Sequence, residues 1–211
     1  MLLLALDTST STASVALFDG QRVLSETTWL AGREHSSRLL VEIDSALERA
    51  QRTPEELTGL VVACGPGSFT GVRVALSVAK GMAAGLGVPL WGIGTLDVVA
   101  HAADGVDVPV LAVLEAGRGR FASALYVDGR QAAPARLLTL DQLEAAIATA
   151  TLVAGELNHE ARERLGRQPT VRLQSRAASA RRAGILAQLG WRQARSGDPG
   201  DPLSVDAVYL S

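Results

Sequence analysis

The feature that most constrains the fold is an internal duplication. Leu4-Ala5-Leu6-Asp7 is followed by the apolar run Val15-Ala16-Leu17-Phe18 and the turn Asp19-Gly20. A hundred residues on, Ala112-Val113-Leu114-Glu115 is followed by Ala124-Leu125-Tyr126-Val127 and the turn Asp128-Gly129. Each copy ends an apolar strand on a carboxylate, crosses a polar turn and returns to an Asp-Gly pair, a strong hairpin signal. Strand–helix alternation follows both. Two copies of a hairpin plus βα units predict an α/β protein of two similar lobes, each a mixed sheet packed by helices. The spacing puts the lobes at 1–104 and 105–211, with the boundary near Ala103–Val108, although two hairpins can also resemble each other by chance.

In the first lobe the patterns predict strands at 2–7, 12–18, 22–29, 60–64 and 89–93. They predict helices at 36–51, capped by Ser36, at 69–86, and from Thr95. The apolar set of the first helix is Leu39, Leu40, Ile43, Ala46, Leu47 and Ala50. In the second lobe a capping box at Thr139-Asp141-Gln142 announces a helix over 140–149. A strand at 151–154 and helices near 157–165 and 177–194 follow.

Gly65-Pro66-Gly67-Ser68-Phe69-Thr70-Gly71-Val72-Arg73 joins an apolar strand to the 69–86 helix. Such a turn points backbone N–H groups outward at the positive end of a helix dipole, which suits an anion; it also serves as a bare strand-to-helix corner. The Walker spacing fails, because Thr70 stands where the second glycine belongs and Gly71 where the lysine belongs. The dinucleotide fingerprint fails at Thr70 as well. Arg73 offers charge to an anion, or an ion pair at a surface.

On a helical wheel, residues 69–86 carry one narrow polar stripe, Arg73, Ser77 and Lys80. The core stripe is Val72, Ala75, Leu76, Ala79, Ala83 and Leu86, and a third face holds Val74, Val78, Gly81, Met82 and Gly85. A helix bordering water is normally polar over about half its girdle. This one needs cover on two sides, from a protein partner or from the second lobe. Gly81 and Gly85, one turn apart, allow close helix approach and cost roughly 1 kcal/mol each in helix propensity. Val41 and Ser45 on the preceding helix extend the face, so Val41, Ser45, Arg73, Val74, Val78, Gly81, Met82 and Gly85 form the expected partner or dimer interface.

Candidate chemistry elsewhere is thin. Asp7 and Glu115 end equivalent strands, where paired carboxylates serve a metal–nucleotide complex, acid–base work or mere turn capping. Asp7-Thr8-Ser9-Thr10 offers hydroxyls, and Glu115-Ala116-Gly117-Arg118-Gly119-Arg120 offers glycines and arginines. His35, His101 and His159 lack metal-ligand spacing, and no Ser lies in nucleophile-elbow context. Cys64, the only cysteine, excludes a disulfide framework. The apolar start Met1–Leu6 lacks a basic region and is too short for a leader or a membrane span, so a cytoplasmic protein without a membrane role is expected. Net charge is −2. Residues 160–211 nevertheless hold nine arginines against five carboxylates, a face for nucleic acid or a coding bias toward arginine, since Lys80 is the sole lysine.

The strand ending Asp7-Thr8-Ser9, the nine-residue loop, Ala79-Lys80-Gly81 and Gly85-Leu86-Gly87-Val88-Pro89 together resemble the TsaB (YeaZ) family. The likeness covers the first lobe to about Ala100 and is looser beyond. It implies the two-lobed fold shared by actin, Hsp70 and the acetate and sugar kinases (ASKHA). It also implies a part in making N6-threonylcarbamoyladenosine (t6A) at position 37 of tRNAs. In the related transferase TsaD an H-x-x-x-H pair holds a metal; the matching positions here are Thr95 and Val99, which cannot replace two imidazoles. The resemblance therefore implies a non-catalytic subunit without metal or cofactor of its own, a nucleotide entering only at an interface with partners. It pairs with TsaD, works with the ATPase TsaE, meets tRNA through the complex, and forms a homodimer when alone. Two departures stand out: Glu115-Ala116-Gly117-Arg118 where the family often has Asp-Ala-Arg, and the ending Val208-Tyr209-Leu210-Ser211 where it often has Tyr-Leu-Arg. The competing readings are an ATPase, kinase or glycoprotease-like enzyme of the same fold, and an RNA-binding module using the arginine-rich end.

Overall fold

The computed structural model describes residues 1–31 and 35–210, the side chains of 35–37 excepted. The first half runs β1 (Leu3–Asp7), β2 (Thr12–Phe18), β3 (Val23–Leu30), α1 (His35–Arg49), a 3-10 turn (Pro54–Glu56), β4 (Gly59–Ala63), α2 (Phe69–Leu86), β5 (Leu90–Ile93) and α3 (Thr95–His101). The second runs β6 (Val110–Glu115), β7 (Arg120–Val127), β8 (Arg130–Gln131), β9 (Arg136–Thr139), α4 (Leu140–Ala145), β10 (Thr151–Gly155), α5 (His159–Gly166), β11 (Val171–Leu173) and α6 (Ala183–Arg195).

The duplication is real. One sheet has the order β3-β2-β1-β4-β5; the other runs β11-β10-β6-β7, with β8 and β9 both pairing β7. In each copy the leading strand pairs antiparallel with the next, Asp7 opposite Ser14 and Glu115 opposite Phe121, and parallel with a later strand, β4 in the first copy and β10 in the second. The Asp-Gly turns hold Gly20 at φ 93°, Asp128 at 50° and Gly129 at 69°, the left-handed conformations that suit Gly and Asp.

The chain divides into a first unit, Met1–Thr95 with Arg181–Val208, and a second, Leu96–Ala180 with the last residues from Tyr209. This differs from a single boundary at 104/105, because each half gives its final helix to the other half's sheet. The cause lies in the strands. β1 and β4 are buried at every position, so both faces need cover. Leu4, Leu6, Leu60 and Val62 pack with α1 and α2. On the opposite face α6 lays Ala183, Gly184, Leu186, Ala187 and Gly190 against the sheet. A Cβ at Gly190 would sit 2.3 Å from a Val61 methyl, so only glycine lets α6 cross β4 so closely. In the second unit Leu96, Val99, Ala100 and Ala103 cover Ala112, Leu114, Ala124 and Leu152, while Leu140, Leu143, Ala161 and Leu165 of α4 and α5 pack on the other face.

Two sequence expectations for α1 change. It begins at His35, so Ser36 lies within it rather than capping it, and the Ser36 side chain is outside the described residues. Leu39, Ile43, Ala46 and Leu47 are buried, but Leu40 is 52% exposed: it lies 100° round from Leu39 and off the core stripe. α2 spans the expected residues. Ser68 caps it by accepting the Gly71 N–H at 3.3 Å, and Gly87, at φ 66°, ends it.

Candidate functional site

The nine-residue loop is a packed corner. A Cβ at Gly67 would lie 2.3 Å from the Ser9 carbonyl oxygen, one at Gly71 2.0 Å from that of Thr8, and one at Gly65 2.4 Å from that of Val208. The glycines are spaced for close approach to the β1–β2 connection, a requirement met without a ligand. Ser68 N–H donates to the Ser9 carbonyl at 2.6 Å and Thr95 N–H to that of Gly65 at 2.8 Å. The Gly65–Pro66 peptide is cis. Of the motif-loop residues Gly65, Pro66, Gly67, Ser68, Phe69, Thr70 and Gly71, the last three belong to α2 itself.

The hydroxyl-bearing segment before the loop is equally committed. Asp7 is buried; its Oδ1 accepts from Ser9 N–H at 2.8 Å and its Oδ2 from Arg181 Nε at 2.8 Å. Arg181, 2% exposed, donates further to Thr10 Oγ1 at 2.9 Å and to the Thr12 carbonyl at 2.8 Å. Thr8 Oγ1 donates to the Gly71 carbonyl at 2.6 Å, and Thr95 Oγ1 meets Ser9 Oγ at 3.1 Å. All four polar side chains of Asp7-Thr8-Ser9-Thr10 are engaged within the first unit. A buried pair with its lone pairs satisfied leaves a phosphate nothing to bind without breaking it. Sequence reasoning missed Arg181, because 174 residues separate it from Asp7.

Glu115, its counterpart, is exposed at the end of β6 in the second unit. The turn after it is a tight one, with Gly117, Arg118 and Gly119 all at positive φ and Ala116 N–H bonded to the Arg120 carbonyl at 2.9 Å. Thr95 and Val99 are buried, and Asp97 accepts from the Tyr126 hydroxyl at 2.7 Å. Burial first, and then Asp97, pushes the Tyr126 phenol far above its ordinary value, so it stays a donor. Cys64 Sγ donates to the Ile93 carbonyl at 3.3 Å. His101 lies 3.9 Å from Asp104, His159 opens α5, and the His35 side chain is outside the described residues. Among the described residues no three His, Cys, Asp or Glu side chains cluster as a metal site.

One surface of the first unit does stand apart. On α2, Val72, Ala75, Leu76, Ala79 and Ala83 are buried, while Val74, Val78 and Met82 are half-buried and Gly81 and Gly85 exposed. Among the described residues nothing lies within 4 Å of a Cβ built on Gly81 or Gly85, so no packing among them accounts for these glycines. On the neighbouring α1, Val41 is 61% exposed and Ser45 half-buried. Phe69 is 56% exposed, with the Arg73 guanidinium stacked 3.7 Å from its ring centre. A depression of about 370 Å³ follows this row past Thr70, Val74, Ser77 and Val78. Lys80 turns aside to an ion pair with Asp206 at 3.2 Å. Leu40, a member of the apolar set of α1, adds to that helix's exposed apolar surface.

Comparison with known proteins bears on family and fold. The family model described as TsaD, tRNA N6-adenosine threonylcarbamoyltransferase, matches residues 29–171. The tRNA threonylcarbamoyladenosine biosynthesis protein TsaB of Bacillus subtilis is 33% identical over 126 residues, 60% of this chain and 55% of that protein. The chain thus spans about half the length of the curated relatives it matches. The solved structure of YeaZ from Pseudomonas aeruginosa aligns over 99% of both chains, with a TM-score of 0.83 and 28% identity. The (R)-2-hydroxyglutaryl-CoA dehydratase component A of Acidaminococcus fermentans aligns over 92% of this chain and 99% of its own, with a TM-score of 0.56 and 12% identity, a likeness of fold alone. The duplicated sheets and these neighbours place the fold in the expected actin-like α/β class. No described helix is long and apolar enough to cross a membrane.

Proposed function

The chain belongs to the family of TsaD, the tRNA N6-adenosine threonylcarbamoyltransferase, and from that premise we propose that it is a non-catalytic TsaB-type subunit of the t6A machinery. In this reading it pairs with TsaD through the α1–α2 face of the first unit, works alongside the ATPase TsaE, and meets tRNA only through the assembly, in the cytoplasm. The observation that carries the reading is the pair of exposed glycines beside Val41, Val74, Val78 and Met82. They weaken α2 and meet no packing neighbour among the described residues. A partner helix settling on them recovers that cost through close packing. Alone, two copies bury the same face against each other as a homodimer.

The non-catalytic half of the proposal is supported by the engaged Asp7-Thr8-Ser9-Thr10 segment, which leaves no side chain free to hold a phosphate, and by Thr95 and Val99 at the positions matched to TsaD's metal ligands. The test is size-exclusion chromatography with light scattering of the purified chain, with and without TsaD, for the wild type and Gly81→Arg. Gly81 is exposed, so the variant folds. It is expected to be monomeric and to elute apart from TsaD, because an arginine in a packed contact carries an unpaired charge into it. An unchanged mass and unchanged co-elution would remove the interface. Robust ATP turnover by the chain alone would remove the non-catalytic assignment.

A further inference from the structure

The second unit is a shorter copy of the first, and the shortfall leaves a hole. After the third strand of the first unit, α1 runs for 15 residues; its counterpart α4 stops after 6. At 1.5 Å per residue, roughly 13 Å of covering helix is missing. The sequence pattern predicts helix through residue 149, but the chain leaves α4 at Ala146, whose N–H is shared between the Gln142 and Glu144 carbonyls. A cavity of about 210 Å³ opens beside it, lined by Leu111 of β6, Leu125 of β7, Leu138 of β9 and Ile147. An apolar cavity of about 150 Å³ accepts benzene. This one has room for a six-membered ring and a small polar group.

Of the three polar side chains on the lining, Thr151 donates its hydroxyl to the Thr149 carbonyl at 2.9 Å, and the other two say which group. Ser123, 4% exposed, makes no side-chain hydrogen bond among the described residues. Its cross-strand partner in the β7–β9 pair is Arg136, exposed and without a carboxylate or other side-chain partner among the described residues. The acids of α4 are taken elsewhere: Arg164 holds both Glu144 and Asp141. A cation, a hydroxyl and an apolar cavity thus converge, and charge complementarity excludes an amine and disfavours a neutral occupant.

We propose that this cavity is a binding site for a small organic carboxylate with an apolar body, of the size of benzoate. The ring lies on Leu111, Leu125 and Leu138, the carboxylate pairs with Arg136, and the Ser123 hydroxyl donates to it. The test is a titration of the isotope-labelled full chain with benzoate through the millimolar range, followed by two-dimensional NMR, with benzyl alcohol as the neutral isostere. Saturable shifts confined to β7, β9 and residues 146–147 are expected. Arg136→Gln should weaken benzoate by about tenfold or more, the worth of a charged hydrogen bond, and leave benzyl alcohol unchanged. Ala146→Phe, which fills the cavity from its rim, should abolish both; if it does not fold, Ser123→Ala should weaken benzoate severalfold. No saturable binding, equal affinity in Arg136→Gln, or benzyl alcohol binding as tightly as benzoate would overturn the proposal. So would loss of self-association or of TsaD co-elution in Ala146→Phe with no carboxylate bound by the wild type, which would assign the gap to a protein side chain.

Discussion

Replacing Asp7 tests whether this carboxylate is a structural pin or a chemical group. In the folded chain it sits beside Arg181 with side chains 1% exposed on both partners, and Arg181 makes two further bonds to Thr10 and Thr12. Asp7→Ala strands a guanidinium in a site sealed from water, at a cost of about 3–5 kcal/mol. For a chain of this length each kcal/mol lowers the melting temperature by about 2–4 °C, so a drop of about 6–20 °C is expected. Asp7→Asn keeps the shape and a single acceptor oxygen, enough for Arg181 or for Ser9 N–H but not for both, and should cost less than Asp7→Ala. The double replacement Asp7→Leu/Arg181→Met removes both charges together. It should be more stable than the sum of the two single changes allows, with a coupling of about 2–3 kcal/mol. Urea unfolding of the four proteins, followed by circular dichroism, measures the cycle. Single variants within a few tenths of a kcal/mol of wild type would refute the reasoning. So would an Asp7→Asn protein of full stability that no longer supports t6A formation in a reconstituted assay, the signature of a chemical role.

The remaining predictions concern glycine and pH. Gly67→Ala, driving a methyl to 2.3 Å from the Ser9 carbonyl, should destabilise the chain by about 2–3 kcal/mol in the same unfolding assay. Gly81→Ala and Gly85→Ala, with no described residue near either added methyl, should each stabilise it by roughly 0.8–1 kcal/mol. Asp198 accepts from Gln193 Nε2 at 2.7 Å and from Gly200 N–H at 2.8 Å, which hold its carboxyl below the ordinary range. A lowered folded-state value means its contribution is complete above the unfolded carboxylate value and is lost as pH falls through the folded one. Asp198→Asn should therefore lower stability most at neutral pH and least at the acid end, flattening part of the acid limb, as thermal melts from acid to neutral pH would show.

How much could be read in advance varies with distance along the chain. Local signals served well. The Asp-Gly hairpins exposed the duplication, the apolar wheel gave α2 to the residue, and Thr139 with Gln142 gave the start of α4. What was hidden depends on which surfaces meet. The exchange of α3 and α6 between the sheets follows from strands apolar on both faces, and β1 and β4 carry that signal, but no pattern says which helix answers it. Leu40 looked like core because it sits beside Leu39, and a rotation of 100° is enough to expose it. Arg181 belonged to a basic stretch that suggested nucleic acid, when its charge is spent on Asp7. The early end of α4 came from the third dimension too: Ala145-Ala146 favours helix by propensity, yet the chain turns there to enter β10.

The central claim is that α2 gives up stability at Gly81 and Gly85 to receive a partner. The affinity of the Gly81→Ala/Gly85→Ala chain for TsaD, measured by isothermal titration calorimetry beside its melting temperature, tests this most directly. The account predicts a protein that melts about 3–8 °C higher and binds TsaD at least about tenfold more weakly, since two methyls hold the partner helix away. A stabilised protein that binds TsaD as tightly as the wild type would contradict it.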